Sequence, residues 1–195
     1  MSMENFIAKL KFLFSIPIMI LSFSLLGQEN INITAERSAL DTESNSAYFE
    51  SLVIRQDAII IKALLAQVDN LDFEKNIWTF SGELQLTNDV FNLLANNGQI
   101  EFNNYAITSA VFNGTPAIFS AKPINRDIIN GQANKIEFNQ IDNLLRFLGA
   151  AEISIDNTSF KGCDLIYDLV NQRVTAGYSE CGENIQITID VNETP

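Results

Sequence analysis

The sequence predicts an all-β domain of stacked antiparallel strands, and three observations predict it. Apolar and polar residues alternate with period two from Ile31 onward, as in strands with one buried face. Clusters of Asn, Asp, Gly and Pro separate the alternating runs, as hairpin turns require. A short phrase also recurs: Phe49-Glu50-Ser51-Leu52-Val53-Ile54, Phe80-Ser81-Gly82-Glu83-Leu84-Gln85-Leu86 and Phe147-Leu148-Gly149-Ala150-Ala151-Glu152-Ile153. Each copy is followed by a second apolar phrase ending in a small residue: Ile61-Lys62-Ala63, Leu93-Leu94-Ala95 and Phe160-Lys161-Gly162. The spacing from Ser51 to Ala63 is 12, from Gly82 to Ala95 it is 13, and from Gly149 to Gly162 it is 13. A near-fixed period of this kind marks repeated β units, with the small residue where a strand bends or approaches its neighbour.

Residues 1–27 form a leader: Lys9 and Lys11, an apolar run from Phe12 to Leu26, then Gly27. The run is about 15 residues, shorter than the roughly 20 that a bilayer span needs, so it predicts a secretory signal peptide. An uncleaved anchor is the alternative. The domain proper is 28–192, and 193–195 is a frayed end. Ile31-Asn32-Ile33 opens the domain as a strand, and a turn follows at Asn45-Ser46. Ala58–Val68 and Val90–Ala95 are rich in Ile, Leu and Ala, yet both fill the second-phrase slot of the repeat. Ile59-Ile60-Ile61 is β-branched, which disfavours helix, so both read as strands. Ile77 to Phe80, Leu84 to Leu86, Ile136 to Phe138 and Ile153 to Ile155 alternate cleanly. Further turns are expected at Glu74-Lys75-Asn76, Asn96-Asn97-Gly98, Asn113-Gly114-Thr115-Pro116, Asn125-Arg126-Asp127, Gln140 to Asn143 and Val170-Asn171-Gln172.

Alternation gives an inward set: Ile31, Ile33, Phe49, Val53, Trp78, Phe80, Leu84, Leu86, Phe119, Ile136 or Phe138, Leu145, Phe147, Ala151, Ile153 and Ile155. An ordinary sandwich core would use the same residues and fill its own space.

The formal charge is −12, and without the leader (two Lys, one Glu) it is −13. A phosphate-backbone binder needs a basic footprint, so nucleic acid is excluded as a partner. With no histidine, the commonest general base and transition-metal ligand is missing. Acid pairs exist at Asp41/Glu43 and Asp164/Asp168, and a glycosidase would need two facing carboxylates, but Asp164 and Asp168 read as outward residues of one alternating strand. With no histidine, no reactive-cysteine setting and no metal motif, we expect no enzyme, no metal and no cofactor. Cys163 and Cys181 flank a predicted hairpin and, in an exported chain, read as a disulfide worth about 3 kcal/mol in the chain-entropy view. Two buried thiols are the alternative. Sequons at Asn32, Asn113, Asn157 and Asn192 would suit a generic secreted β-sandwich, but an Asn-rich chain generates them by chance.

Two stretches carry a resemblance. The first is Ile31-Asn32-Ile33-Thr34-Ala35-Glu36 with Ala39-Leu40-Asp41 and Phe49. The second runs from Gly114-Thr115-Pro116-Ala117-Ile118-Phe119 through Ile129-Asn130-Gly131-Gln132-Ala133 and Ile136-Glu137-Phe138 to Leu145–Ile153, Phe160–Asp168 and Arg173-Val174-Thr175-Ala176. In this order the phrases resemble the LptA/OstA family, the periplasmic bridge proteins of lipopolysaccharide transport. Residues from about Leu71 to Tyr105 look like an added repeat, Ser51 replaces the usual Gly, and Arg55 stands where an apolar inward residue is expected. Arg55 reads as a solvated edge charge or, at an open end of the slot, as a contact for a lipid phosphate.

The resemblance implies an open V-shaped β-jellyroll with a greasy inner face that shelters the lipid A acyl chains of lipopolysaccharide. It implies periplasmic location and partners resembling the LptC inner-membrane anchor and the LptD outer-membrane protein. It also implies head-to-tail homo-oligomers joined at strand edges. A membrane-anchored component of the same machinery is the runner-up. Ile31, Ile33, Phe119 and Phe138 match the family's lipid-contacting positions; the inward residues Phe49, Val53, Phe80, Leu84, Leu145, Phe147 and Ile153 complete the expected groove lining. Burying about 20 methylenes at about 0.8 kcal/mol each would approach the limit of non-covalent affinity, so a carrier that releases its cargo must shelter it only in part.

Overall fold

The computed structural model describes residues 31–71, 73–124, 126–176 and 184–190. Among the described residues twelve strands follow one another: β1 (Ile31–Thr34), β2 (Arg37–Asp41), β3 (Ser46–Gln56), β4 (Ile59–Val68), β5 (Lys75–Thr87), β6 (Phe91–Asn103), β7 (Ala106–Ala121), β8 (Ile129–Asn139), β9 (Leu144–Ile155), β10 (Thr158–Asp168), β11 (Arg173–Ala176) and β12 (Gln186–Ile189). All belong to one antiparallel sheet in near-sequential order, a meander of long hairpins, as expected for an all-β chain. The two segments open to a helical reading are strands β4 and the start of β6.

A crease crosses the sheet at right angles to the strands. In β5 it falls at Gly82 and Glu83 (φ 74° and 52°), and in β9 at Gly149 and Ala150 (φ 74° and 48°). Each pair inserts one extra residue against both neighbouring strands, the geometry of a β-bulge. In β7, Gly114-Thr115-Pro116 adds two residues against β6 and β8, with a cis Thr115–Pro116 bond. Asn96 of β6 stitches this point, its Oδ1 accepting from the Thr115 N–H at 3.0 Å. Asn96-Asn97-Gly98 and Asn113 to Pro116 are therefore not hairpin turns. Both lie inside long strands, where turn chemistry bends the sheet instead of reversing the chain. The turn expected at Glu74-Lys75-Asn76 lies just earlier, since β5 already begins at Lys75.

The crease explains the repeat. Leu52 pairs with Ala63, Leu84 with Ala95 and Ala151 with Gly162, so each small residue stands opposite the first inward residue after a bend. It also corrects two positions. β3 bends through one left-handed residue, Ser51 (φ 52°), where β5 and β9 use two. A single step flips the alternation: Leu52 and Ile54 turn inward and are buried, while Val53 and Arg55 lie on the outer face.

The sheet folds along this crease, so that its two halves face each other over one core. One half carries an aromatic stack, with Trp78 fully buried between Phe73 and Phe80 at centroid distances of 4.8 and 6.2 Å. Phe49 and Phe102 flank it. Both sheet edges are split at the crease. β1 and β2 cover the two halves of β3, and β12 and β11 those of β10.

Candidate functional site

The two halves meet tightly at the crease and separate at the hairpin tips. Between the tips lies a cavity of about 520 Å³, within the range of small-molecule sites. One wall is Ile59, Leu86, Val90, Phe91, Phe119, Ala121 and Ile129; the other is Ile107, Phe112, Phe138, Leu145, Tyr167 and Leu169. Phe91 and Phe119 stack at 6.3 Å and make one wall largely aromatic. A second hollow of about 540 Å³ lies on the outer face and is bordered by exposed Arg37, Tyr48, Glu50 and Gln67.

Polar contacts bridge the mouth. Near one end, Gln56 of β3 donates through Nε2 to the Tyr105 carbonyl of the β6–β7 turn at 2.7 Å. At another point, Arg126 of the β7–β8 loop reaches Gln172 of the β10–β11 turn. With the carboxamide turned so that its oxygen faces the guanidinium, that oxygen accepts from Nη1 at 2.6 Å and Nε at 3.2 Å. Among the described residues, Arg126 is the one cationic residue in the cavity wall and Asp57 the one carboxylate. Burial raises the pKa of the Tyr167 phenol, with Arg126 acting against that rise, so the phenol stays protonated beside the guanidinium.

The sequence-predicted residues separate by depth. Phe119, Phe138 and Leu145 line the cavity. Phe80, Leu84, Phe147 and Ile153 are fully buried packing at and around the crease. Ile31 and Ile33 pack against the core at the edge, and Phe49 belongs to the aromatic stack. Val53 is outside. Alternation around the repeated phrase finds the vertex of the fold, where packing is densest; the open space is at the tips. Ile59, Phe91, Ala121 and Ile129, which alternation at strand ends would reach, were missed for that reason. Arg126, Gln172 and Tyr105 are turn residues with no periodic signal.

Asp164 lies on the outer face, as alternation expects, yet it is only 3% exposed there, held bidentately by Arg146, Nε to Oδ1 at 2.9 Å and Nη2 to Oδ2 at 2.6 Å. Asp168 is half-buried and caps the following turn. Cys163, in β10 at the crease, is disulfide-bonded; Cys181 lies outside the described residues, as does the leader 1–27.

The sequence profile of the family described as LptA/(LptD N-terminal domain) LPS transport protein matches residues 61–173. No curated protein matches the chain. Among solved structures it is similar to LptH, the LptA-homologous periplasmic component of the lipopolysaccharide transport device of Pseudomonas aeruginosa, with TM-score 0.54 and 16% identity. That match covers 84% of this chain and 96% of LptH, and at such identity it is a likeness of fold. With 113 of 195 residues under the family profile, the chain belongs to the LptA/LptD N-terminal family of lipopolysaccharide transport proteins.

Proposed function

We propose that this chain is a non-enzymatic periplasmic carrier that shelters lipid A acyl chains of lipopolysaccharide between the sheet halves and bridges inner- and outer-membrane components. One observation carries the reading: the largely apolar, aromatic-walled cavity at the open tips of a folded sheet, in a chain of this family. Acyl chains would enter between Phe91, Phe119 and Phe138 while the sugar head stays in water. The partial depth suits a carrier, because the vertex is filled by protein and only part of each chain is covered. The split edges β1/β2 and β11/β12 leave backbone groups for strand addition. We assign them to contacts with LptC-like and LptD-like partners or further copies of the chain. The leader 1–27 belongs to the reading as an export signal, and Cys181 as the partner of Cys163, checked by peptide mapping without reductant.

The test is binding of lipopolysaccharide to the purified chain, followed by displacement of the neutral groove dye N-phenylnaphthylamine. Ala121→Trp, which fills the cavity, should weaken displacement at least tenfold while leaving the melting transition in place. Unchanged binding by that variant would place the lipid elsewhere.

A further inference from the structure

The cavity is apolar along its walls but not at every corner. Where the β7–β8 loop faces the β10–β11 turn, Arg126, Gln172 and Tyr167 come together at its rim. The guanidinium spends two N–H groups on the Gln172 oxygen, at 2.6 and 3.2 Å. It has five, so three remain to serve a ligand. Its protein partner is neutral. The four ion pairs of the described residues are Arg37–Glu50, Lys135–Glu137, Arg146–Asp164 and Lys161–Glu152, and none uses Arg126. A cation held in place by a neutral amide keeps its charge for something else. The geometry is a fork aimed across the end of a greasy slot, and a planar fork suits phosphate.

We propose that Arg126 is a phosphate-recognition residue of the groove, so that the favoured cargo is an amphiphile whose acyl chains lie between the walls and whose phosphate sits at the Arg126–Gln172 corner. This rests on the carrier reading above and adds an orientation to it: tails toward Phe119 and Phe138, head toward the β7–β8 loop. Arg55, the cation that the sequence offered for this part, is on the outer face and away from the cavity. Selectivity matters here because the chain as a whole repels anions, with a formal charge of −12. A phosphate enters only where a local cation offsets that field.

The experiment compares dodecyl phosphate with dodecyl maltoside, which share one tail, as displacers of N-phenylnaphthylamine at constant ionic strength, below micelle formation. The wild-type chain should prefer dodecyl phosphate. Arg126→Gln should lose about tenfold in affinity for dodecyl phosphate, the scale of one charge-assisted hydrogen bond, with dodecyl maltoside unchanged. Arg126→Lys should keep part of the preference, and Gln172→Ala, which breaks the bridge but leaves the charge, should keep most of it. Equal loss for both detergents in Arg126→Gln would make the residue a structural strap and overturn the proposal. So would a preference for dodecyl phosphate that survives the substitution. Inorganic phosphate alone should not displace the dye; if it matches dodecyl phosphate, the corner is a plain anion site and the amphiphile assignment fails. If neither detergent displaces the dye, the carrier reading fails and takes this proposal with it, an outcome distinct from loss of the phosphate preference alone.

Discussion

The ring of Phe119 on β7 meets the ring of Phe147 on β9 edge-on, with centroids 6.2 Å apart and planes at 70°. The two residues come from opposite halves of the folded sheet, so this contact sets how closely the halves approach. Gly131 makes room for it: a Cβ there would lie 2.4 Å from Phe147 Cε1. Gly131→Ala should therefore destabilise the fold by about 1–3 kcal/mol, the usual cost of overpacking. Pairing it with Phe147→Leu should recover part of that loss. A double-mutant cycle on thermal or denaturant unfolding checks it; strictly additive losses would show that the ring does not press on Gly131.

The crease offers a second test of opposite sign. Ser51 sits at φ 52° where its counterparts Gly82 and Gly149 sit at 74°. Ser51→Gly should stabilise by up to about 1 kcal/mol through relief of the left-handed strain. The lost 3.1 Å bond from Ser51 Oγ to Glu36 Oε2 tempers that gain. Gly82→Ala should destabilise by more than about 1 kcal/mol, since it adds strain and brings a Cβ to 2.9 Å from Leu64 Cβ. Denaturant midpoints of the two variants should move in opposite directions.

Much of this architecture was legible in the sequence. Period-two alternation and the Phe-x-Gly phrase gave the strands and their antiparallel stacking, and the evenly spaced small residues marked where strands bend or approach a neighbour. The family resemblance came from the order of the phrases. What escaped was geometry that alternation assumes away. One left-handed residue at Ser51 in place of a pair inverts the faces of Val53 and Arg55. Asn96 to Gly98 and Asn113 to Pro116 carry turn residues yet bend a continuous strand, because a crease and a hairpin need the same backbone chemistry. The site was half legible: Phe119, Phe138 and Leu145 are in its wall, whereas Arg126 and Gln172 meet only because two distant turns are brought together.

Asp164 and Arg146 predict an asymmetry. The Asp164 side chain is 1% exposed and that of Arg146 39%. Arg146→Ala leaves a buried carboxylate without its partner and should cost about 2 kcal/mol or more; Asp164→Ala leaves a guanidinium that can turn outward and should cost less. Equal losses in urea unfolding would mean that the carboxylate is better solvated than its burial implies.

Acid should act through the turn caps. The Asp168 carboxylate lies below its usual value of 3.8, chiefly because the Asn171 backbone N–H and side chain donate to it. Asp41 is lowered likewise, first by the Ser44 side chain. A lowered carboxylate contributes stability that is present above the unfolded value and lost as pH falls through the folded one. The advantage of wild type over Asp168→Ala should thus hold at neutral pH and fade only below 3.8. Melting curves of the two proteins across that range test the sign, which is wrong if the advantage instead grows on acidification.

The open mouth itself is tested most directly by photo-crosslinking in cells that make lipopolysaccharide. A photoreactive residue at Phe119 or Phe138, in the cavity wall, should capture lipopolysaccharide, whereas one at Ile118, 45% exposed on the outer face beside Phe119, should not. Adducts at Ile118 with none at Phe119 or Phe138 would contradict the account.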